Sequence, residues 1–341
     1  MGFSRKNQFN VDGKTILLTG GSQGMGRAVA RLLSSKGANV VIVARNPTKL
    51  GEAFKYISAA ARFPGKQRFH AISADVTAPG ENDRIIRETT IWNDGQPPDV
   101  VWANAGSSHP GLFLDTSEEI MRRQMDLNYW AANSLARSTL HYWTVPLHKD
   151  SKVPGPNDKR HFIITASVVC FIGVAGYSPY SPAKAALRSL ADTLKSELNL
   201  YNGMRRSKDP EVRKMAPEQD IDIHFVAPGT ITSPGFENEQ KLKHQVTKEV
   251  EKGDAVQSED EVAAAAVQRL EAGEFIITTQ FAGHVMRASM FGPSPKNNFI
   301  VDTLFAWLAS IIWLFVTPDL HGKVYQYGKK YGTASIAEPK K

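Results

Sequence analysis

Three residues near the middle of the chain have the types that acid–base chemistry on a carbonyl group requires. Tyr180 and Lys184 are four residues apart, so in a helix the phenol and the ammonium lie on one face, one turn apart. A fixed positive charge within a few ångströms favours the phenolate and moves the pKa of a tyrosine toward neutral pH. Ser167, on a separate segment, can hydrogen-bond a carbonyl oxygen while Tyr180 protonates it. The set predicts the reduction of a ketone.

A glycine-rich turn near the N-terminus gives this set its context, because a Tyr–Lys pair alone also fits two exposed side chains on a helix surface. The turn, residues 20–26, follows a short apolar run at 15–19 and precedes a helical pattern at 27–36 and a fully apolar run at 39–44. In a strand–turn–helix–strand unit, backbone amides at the turn bind a pyrophosphate; a tight turn that only caps the helix is the alternative. The predicted cofactor-binding residues of the turn are Gly20, Ser22, Gln23, Gly24 and Gly26.

The end of the second predicted strand carries cations at the position where an acidic residue would bind the ribose of NAD. Arg45 follows the strand, and Lys49 lies one helical turn further on. Guanidinium and ammonium groups suit the 2′-phosphate of NADP and do nothing for a free 2′-hydroxyl. The alternative is a solvated basic start of a helix. We predict NADPH as the cofactor, bound in part by Arg45 and Lys49.

The rest of the chain alternates apolar runs with helical patterns, which predicts the α/β class. We expect a Rossmann-type, doubly wound parallel sheet in a single catalytic domain, with further strands at residues 69–76, 99–106, 160–167 and 222–229. Ligands of such a sheet bind at the carboxyl ends of its strands. The further candidates there, or in the following helices, are Asp75 and Val76 beside the adenine, Asn104 against the cofactor, Asn128 within a long helix at 117–142, and Ser167. We predict no metal site.

In this order the motifs resemble those of the short-chain dehydrogenase/reductase family over residues 12–240. The resemblance rests on Thr19-Gly-Gly-Ser-Gln-Gly-Met-Gly26, Asn104-Ala-Gly106, Asn128, Ser167, Tyr180-x-x-x-Lys184 and Pro228-Gly229. It implies that Tyr180 is the proton donor and that Lys184 lowers the pKa of Tyr180 and binds the nicotinamide ribose. It also implies that Ser167 orients the substrate carbonyl and that Asn128 holds a water linking Lys184 to solvent.

Within the family, the chain is most similar to reductases of a long-chain sphingoid ketone in sphingolipid synthesis. The similarity rests on Arg45-Asn with Lys49, on Ser233-Pro-Gly-Phe236 and on an apolar C-terminal extension. It implies NADPH-dependent reduction of 3-ketodihydrosphingosine to dihydrosphingosine. One alternative is another membrane-associated carbonyl reductase acting on a steroid or retinoid. A dinucleotide-sensing scaffold without catalysis is disfavoured, because the catalytic set is intact.

The C-terminal extension contains an apolar segment at residues 299–316, interrupted only by Asp302, Thr303 and Ser310. As a helix it is about 27 Å long, slightly short of the ~30 Å hydrocarbon core of a bilayer. We favour a spanning or deeply inserted helix over an interfacial helix and over a helix that buries a dimer interface, and a homo-oligomer stays open. The expected organisation is a catalytic domain at 1–292, a membrane-anchoring segment at 299–317 and a polar tail at 318–341.

Composition restricts the partners and the compartment. The net charge of +7 comes from dispersed basic residues without a basic, aromatic stripe, so we expect no nucleic acid and favour an anionic membrane surface. The single cysteine, Cys170, excludes an internal disulfide and indicates a reducing compartment; it is expected to be buried or to line the pocket. With a polar N-terminus and no signal peptide, the resemblance implies the endoplasmic reticulum membrane, with the catalytic domain facing the cytosol.

Three segments carry weaker predictions. Residues 148–159 and 203–219 combine charged residues with Pro or Gly and are expected to form surface loops. Residues 275–291 are apolar apart from His284 and Arg287, which suits either a flap over a lipid chain or a last strand with its helix. We favour a strand at its start, residues 275–279.

Overall fold

The computed structural model describes residues 7–144, 159–292 and 294–336. The strands are β1 Thr15–Thr19, β2 Asn39–Ala44, β3 Phe69–Ser73, β4 Val100–Ala103, β5 Lys159–Thr165, β6 Asp220–Ala227, β7 Thr230–Thr232, β8 Val256–Ser258 and β9 Ile276–Thr278. The helices are α1 Gly24–Ser35, α2 Pro47–Ser58, α3 Glu81–Trp92, α4 Glu118–Met125, α5 Ala131–Thr144, α6 Ser181–Met204, α7 Pro210–Lys214, α8 Pro234–Leu242, α9 Gln245–Val250, α10 Glu259–Glu271, α11 Phe281–Ser289 and α12 Phe299–Tyr331.

Seven strands form one parallel sheet in the order β3-β2-β1-β4-β5-β6-β9. The chain winds outward from β1 in one direction and then, from β4, in the other, so the order reverses between β1 and β4. Such a reversal opens a crevice at the carboxyl ends of the central strands. The predicted doubly wound α/β sheet is confirmed, and its ligand edge lies where the candidate residues follow their strands.

The sheet is buried on both faces, as the continuous apolar runs of its central strands predict. Alternate residues of each strand enter opposite cores. Leu17, for example, packs in one core with Val41 and Val101, which lie opposite it in the register. Its neighbour Leu18 packs in the other core with Ile42. With both faces covered, the strand ends are the part of the sheet left to bind a ligand.

Two segments differ from the prediction. The expected single helix at 117–142 is interrupted by a π-helical turn, Asp126–Trp130, so α4 and α5 are separate. The expected loop at 203–219 contains the end of α6 and the short helix α7, because the Asp209 side chain accepts from the Glu211 N–H and Pro210 suits a first helical position.

The other segment predictions have mixed outcomes. The expected loop at 148–159 lies outside the described residues except for Lys159, which begins β5. The favoured strand at 275–279 is confirmed as β9, with α11 following it. The apolar segment at 299–316 is helical as expected, but α12 continues through Pro318 to Tyr331. The expected boundary at 317/318 is therefore not a break between elements.

Helix α12 is held to the rest of the fold at both ends. Near its start, Asp302 forms a buried ion pair with Arg287 at 3.0 Å, and Ala309 is buried in a small apolar cluster with α11. Near its end, the Tyr327 ring contacts His244 with centroids 5.9 Å apart. The His244 Nε2 atom also lies 3.1 Å from the backbone oxygen of Thr333. The helix therefore lies along the domain.

A buried pair of histidines joins β5 and β6 inside the fold. The His161 Nδ1 atom lies 3.0 Å from His224 Nε2, and His224 Nδ1 lies 2.7 Å from the backbone oxygen of Glu274. The carbonyl accepts the Nδ1–H of His224, so His224 Nε2 accepts from His161, and both rings are neutral. Burial is the main cause that lowers the pKa of each ring, and for His161 the neighbouring ring adds to it.

This pair predicts loss of stability in weak acid. Below the ordinary histidine pKa of 6.5, the unfolded chain takes up protons that the folded protein does not bind, so the free energy of unfolding falls as the pH falls. One such histidine contributes roughly 2 kcal/mol to this loss at about pH 5. His161→Asn is expected to make the decline in melting temperature between about pH 7 and pH 5 shallower.

The matched control is His141→Asn, which changes an exposed histidine on α5. It is expected to leave the pH dependence of melting as in the wild-type protein. If the melting temperature falls equally steeply with pH in the wild-type protein and in His161→Asn, the pair does not take up protons on unfolding.

Candidate active site

One cavity of about 490 Å³ runs along the carboxyl ends of the central strands, where the sheet order reverses. Its walls carry most of the residues that the sequence predicted for cofactor and substrate. Those residues are Gly20, Ser22, Gln23, Gly24, Gly26, Arg45, Lys49, Val76, Asn104, Ser167, Tyr180 and Lys184. Two predicted residues, Asp75 and Asn128, lie outside this lining.

The glycine turn closes tightly on the end of β4. A Cβ atom on Gly26 would lie 2.3 Å from the Gly20 carbonyl oxygen and 2.5 Å from Asn104 Nδ2, so only glycine fits there. Gly20 itself has a φ of +71°, a conformation that favours glycine. The Thr19 hydroxyl oxygen accepts from the backbone N–H groups of Asn104 and Ala105, each at 3.1 Å. These contacts bring the first and fourth strands into one ligand-binding edge.

Helix α1 begins at this turn with its N-terminus at the cavity wall. Its N-cap residue, Gln23, makes no side-chain capping hydrogen bond. The first N–H groups of a helix need acceptors, and together with the helix dipole they favour an anion. A pyrophosphate supplies such acceptors, so the donor set at this wall fits a dinucleotide.

Two cations border the cavity after β2. Lys49 Nζ donates to Gln23 Oε1 at 3.1 Å, which places the ammonium beside the glycine turn. The Arg45 side chain is 68% exposed and lies 3.9 Å from Asp75, too far for a strong ion pair in solvent. The Asp75 carboxylate accepts from the backbone N–H and the hydroxyl of Thr77. The predicted contact of Asp75 with an adenine stays a prediction.

The catalytic candidates come together from two neighbouring elements. Ser167 lies two residues after β5, its hydroxyl accepts from the Val169 N–H, and it lines the cavity together with Tyr180. Tyr180 is the N-cap of α6, and Lys184 lies in the first turn of that helix. The Lys184 Nζ atom lies 5.5 Å from the centre of the Tyr180 ring and donates to the Thr165 carbonyl oxygen at 3.3 Å. The structure therefore places a hydroxyl, a phenol and an ammonium at one cavity.

The electrostatics of Tyr180 differ from the sequence prediction. Burial raises the pKa of Tyr180, and the Glu239 carboxylate raises it further, while the hydrogen bond from Ser167 opposes both. This direction is opposite to the lowered pKa that we expected from Lys184, because burial is the largest cause and the Glu239 carboxylate acts in the same direction. Burial also lowers the pKa of Lys184 to about 8. At neutral pH the phenol holds its proton, which is the form that can donate to a carbonyl oxygen.

Asn128 lies behind Lys184 in the π-helical turn and is buried. Its side-chain nitrogen donates to the carbonyl oxygens of Ser107 and Gln124, and its side-chain oxygen accepts from the Ser107 N–H. A Cβ atom on Gly106 would lie 2.8 Å from Asn128 Oδ1 and 3.2 Å from Lys184 Nζ. Gly106 thus leaves a small space between amide and ammonium. The expected water at Asn128 stays a prediction.

The cavity also contains residues that the sequence analysis did not single out. Tyr177 and Glu239 line the wall beside Tyr180, and Tyr177 donates to Glu239 at 2.5 Å. No motif spacing relates these two residues, which are 62 positions apart. Cys170 is buried and is not among the lining residues, and burial raises the pKa of its thiol. Of the two roles expected for Cys170, the buried structural one is confirmed.

Comparisons with known proteins agree with this geometry. The family model described as short chain dehydrogenase matches residues 14–206. A 3-ketodihydrosphingosine reductase of Aspergillus fumigatus is 51% identical over 331 residues, which cover 97% of this chain and 89% of that protein. A 3-ketodihydrosphingosine reductase of Neurospora crassa is 40% identical, with 99% and 89% covered. A short-chain type dehydrogenase/reductase structure from Mycobacterium ulcerans is 19% identical, with a TM-score of 0.60 over 79% of this chain and 89% of that one.

The chain belongs to the short-chain dehydrogenase/reductase family and is an oxidoreductase. Its cofactor is a nicotinamide dinucleotide, which the glycine turn and the uncapped start of α1 fit. Within the family, it is similar along nearly its whole length to proteins named 3-ketodihydrosphingosine reductase.

Proposed function

We propose that this protein reduces 3-ketodihydrosphingosine to dihydrosphingosine with NADPH, a step of sphingolipid synthesis. The observation that carries the proposal is the meeting of Ser167, Tyr180 and Lys184 at one cavity. The chain also shares 51% identity with a relative of that name over nearly the whole chain. The length matched to that relative includes both the catalytic residues and the C-terminal helix.

The chain's own groups account for the acid–base half of the reaction. When bound, the reduced nicotinamide supplies a hydride. The Ser167 hydroxyl and the Tyr180 phenol hydrogen-bond the carbonyl oxygen of the substrate, on which negative charge develops. Tyr180 is protonated at neutral pH and gives its proton to that oxygen. The buried Lys184 then stabilises the phenolate that remains, since a cation favours a neighbouring anion.

The preference for NADPH is supported by charge at the end of β2. Arg45 is 68% exposed at the cavity wall, and Lys49 lies beside it. Two cations with weak or neutral partners are suited to a dianionic 2′-phosphate. A free 2′-hydroxyl would gain little from them.

The activity is tested by following NADPH oxidation by the purified full-length protein, solubilised in detergent, with 3-ketodihydrosphingosine. Tyr180→Phe is expected to bind NADPH as the wild-type protein does and to lose at least about 100-fold in kcat, because the proton donor is removed while the ring is kept. Cofactor binding is measured separately by NADPH fluorescence.

A steroid ketone and a retinaldehyde serve as control substrates in the same assay. Turnover of either control instead of the sphingoid ketone would contradict the substrate while leaving the catalytic set intact. Substantial residual turnover by Tyr180→Phe would contradict its assignment as proton donor.

The cofactor preference is tested by Arg45→Asp. The carboxylate repels a 2′-phosphate and can accept from a 2′-hydroxyl, so the ratio of kcat/KM for NADPH to that for NADH is expected to fall about 100-fold. Lys208→Asp, which makes the same change of charge in a region outside the cavity lining, is expected to leave the ratio unchanged. An unchanged ratio in Arg45→Asp would show that the phosphate is held elsewhere.

We further propose that α12 binds the protein to a membrane. The helix is long and apolar enough to cross a bilayer, yet only 11% of its most apolar 18-residue stretch is buried against the domain. Among its outward residues, Ile300, Trp307 and Leu314 are seven positions apart and 68–69% exposed. Large apolar side chains exposed on one helix face mark a contact with another apolar phase.

The contacts of α12 favour a helix that lies in the membrane surface over one that crosses it. Asp302 near one end and Tyr327 near the other both contact the same domain. A helix perpendicular to the bilayer would have to break one of these attachments. Breaking the first would leave the Arg287 guanidinium buried without its nearest carboxylate, which is costly.

The compartment follows from the same proposal. A lipid ketone is delivered from a membrane, and a single buried thiol suits a reducing compartment. We therefore propose the cytosolic face of the endoplasmic reticulum membrane.

Membrane attachment is tested with the triple variant Ile300→Glu, Trp307→Glu, Leu314→Glu. Three carboxylates on the outward face cannot enter the apolar layer cheaply, so the variant is expected to lose flotation with vesicles of phosphatidylcholine and phosphatidylserine.

The control variant introduces the same three charges at exposed apolar residues of the catalytic domain: Ile91→Glu, Leu200→Glu, Met215→Glu. It is expected to float with the vesicles as the wild-type protein does. Flotation of the α12 variant at the wild-type level would refute this face as the membrane contact.

A further inference from the structure

A cluster of polar side chains lies next to the catalytic residues. It consists of Tyr177, Glu239, Lys243 and Glu251 and is called the Glu239 cluster here. The Tyr177 hydroxyl lies 2.5 Å from Glu239 and 2.7 Å from Glu251. The Lys243 ammonium lies 2.8 Å from Glu239 and 2.6 Å from Glu251. The Lys243 side chain is only 1% exposed, so the cluster is an inner feature of the fold.

The charges in the Glu239 cluster do not balance. Two carboxylates share one ammonium, and the Tyr177 hydroxyl has a single proton, so it donates to only one carboxylate at a time. The two glutamates together offer more acceptor sites than Tyr177 and Lys243 can fill. A partly buried excess of negative charge is unfavourable unless a cation joins it. The cluster is therefore suited to a second cationic group.

Only one of the two glutamates is placed to meet a ligand. Glu239 lines the catalytic cavity together with Tyr177 and Tyr180, and Glu251 is not among the lining residues. The rings of Tyr177 and Tyr180 are 6.1 Å apart between centroids, so the Glu239 cluster adjoins the proton donor directly. The carboxylate is near enough to raise the pKa of Tyr180, second to burial as a cause.

We propose that Glu239 binds the ammonium group of an amino-ketone substrate and selects that substrate over ketones without an amine. The inference rests on the proposed function. A sphingoid ketone carries its primary amine on the carbon next to the carbonyl, so a carbonyl oxygen held by Tyr180 places the ammonium against the adjoining wall. Glu239 is the acidic residue of that wall. A charge-assisted hydrogen bond there would fix which face of the ketone is presented.

The test is Glu239→Gln, which keeps the size of the side chain and an acceptor for Tyr177 but removes the charge. Two substrates are compared, 3-ketodihydrosphingosine and the same hydroxyketone without its amino group. The variant is expected to lose about 10- to 100-fold in kcat/KM for the amino ketone, the range for one lost hydrogen bond to a charged group. The value for the ketone without the amine is expected to stay unchanged or to rise.

Two further variants separate recognition from folding. Glu237→Gln removes an exposed carboxylate from the same helix, α8, and is expected to change neither value. Glu239→Asp keeps the charge and is expected to retain much of the preference for the amino ketone. NADPH binding should be the same in all variants, because neither Glu237 nor Glu239 is among the predicted cofactor-binding residues.

Each other outcome overturns the inference. Equal losses of kcat/KM for the two ketones in Glu239→Gln would show that Glu239 only holds α8 or Tyr180 in place and does not bind the amine. An unchanged preference would show that the amine is bound elsewhere. If the wild-type protein reduces neither ketone, the proposed function fails together with the inference, whereas turnover of both without selection by Glu239 overturns the inference alone.

Discussion

The burial of one ammonium group, that of Lys184, is the constraint on which the arrangement of the site depends. The residue is 3% exposed, and burial lowers its pKa to about 8. A cation in such a place needs nearby oxygens. The Thr165 carbonyl provides one, and the Asn128 amide lies beside the gap that Gly106 leaves. The end of β5, the turn after β4 and the π-helical turn thus meet around one lysine.

Much of this arrangement was predictable from the sequence, and the reason is local. The apolar runs of β1 and β2, the glycines between them and the spacing from Tyr180 to Lys184 each express a short-range rule about backbone or helix geometry. A parallel sheet then brings the strand ends to one edge without further information. That is why the fold class and twelve of the residues that line the cavity could be predicted from the sequence alone.

The features that were missed depend on contacts between distant residues. The π-helical turn contains Asn128, whose side chain bonds Ser107, 21 positions away. The pKa of Tyr180 was expected to fall, because the sequence shows the neighbouring lysine but neither the depth of burial nor Glu239, which is 59 positions further along the chain. The apolar pattern of the sequence shows where α12 begins. It does not reveal the ion pair of Asp302 with Arg287, which attaches α12 to the domain.

The long-range contacts also link the charged part of the cavity wall to the apolar helix α12. Lys243 of the Glu239 cluster is followed directly by His244, whose ring contacts Tyr327 near the end of α12. The segment that carries the charged wall of the cavity is therefore packed against the helix with the apolar outer face. A molecule with an ammonium at one end and a long hydrocarbon chain at the other has opposite requirements at its two ends. A catalytic cavity bordered by Glu239 on a domain that carries α12 meets both requirements, which a polar cavity on a wholly water-exposed domain would not.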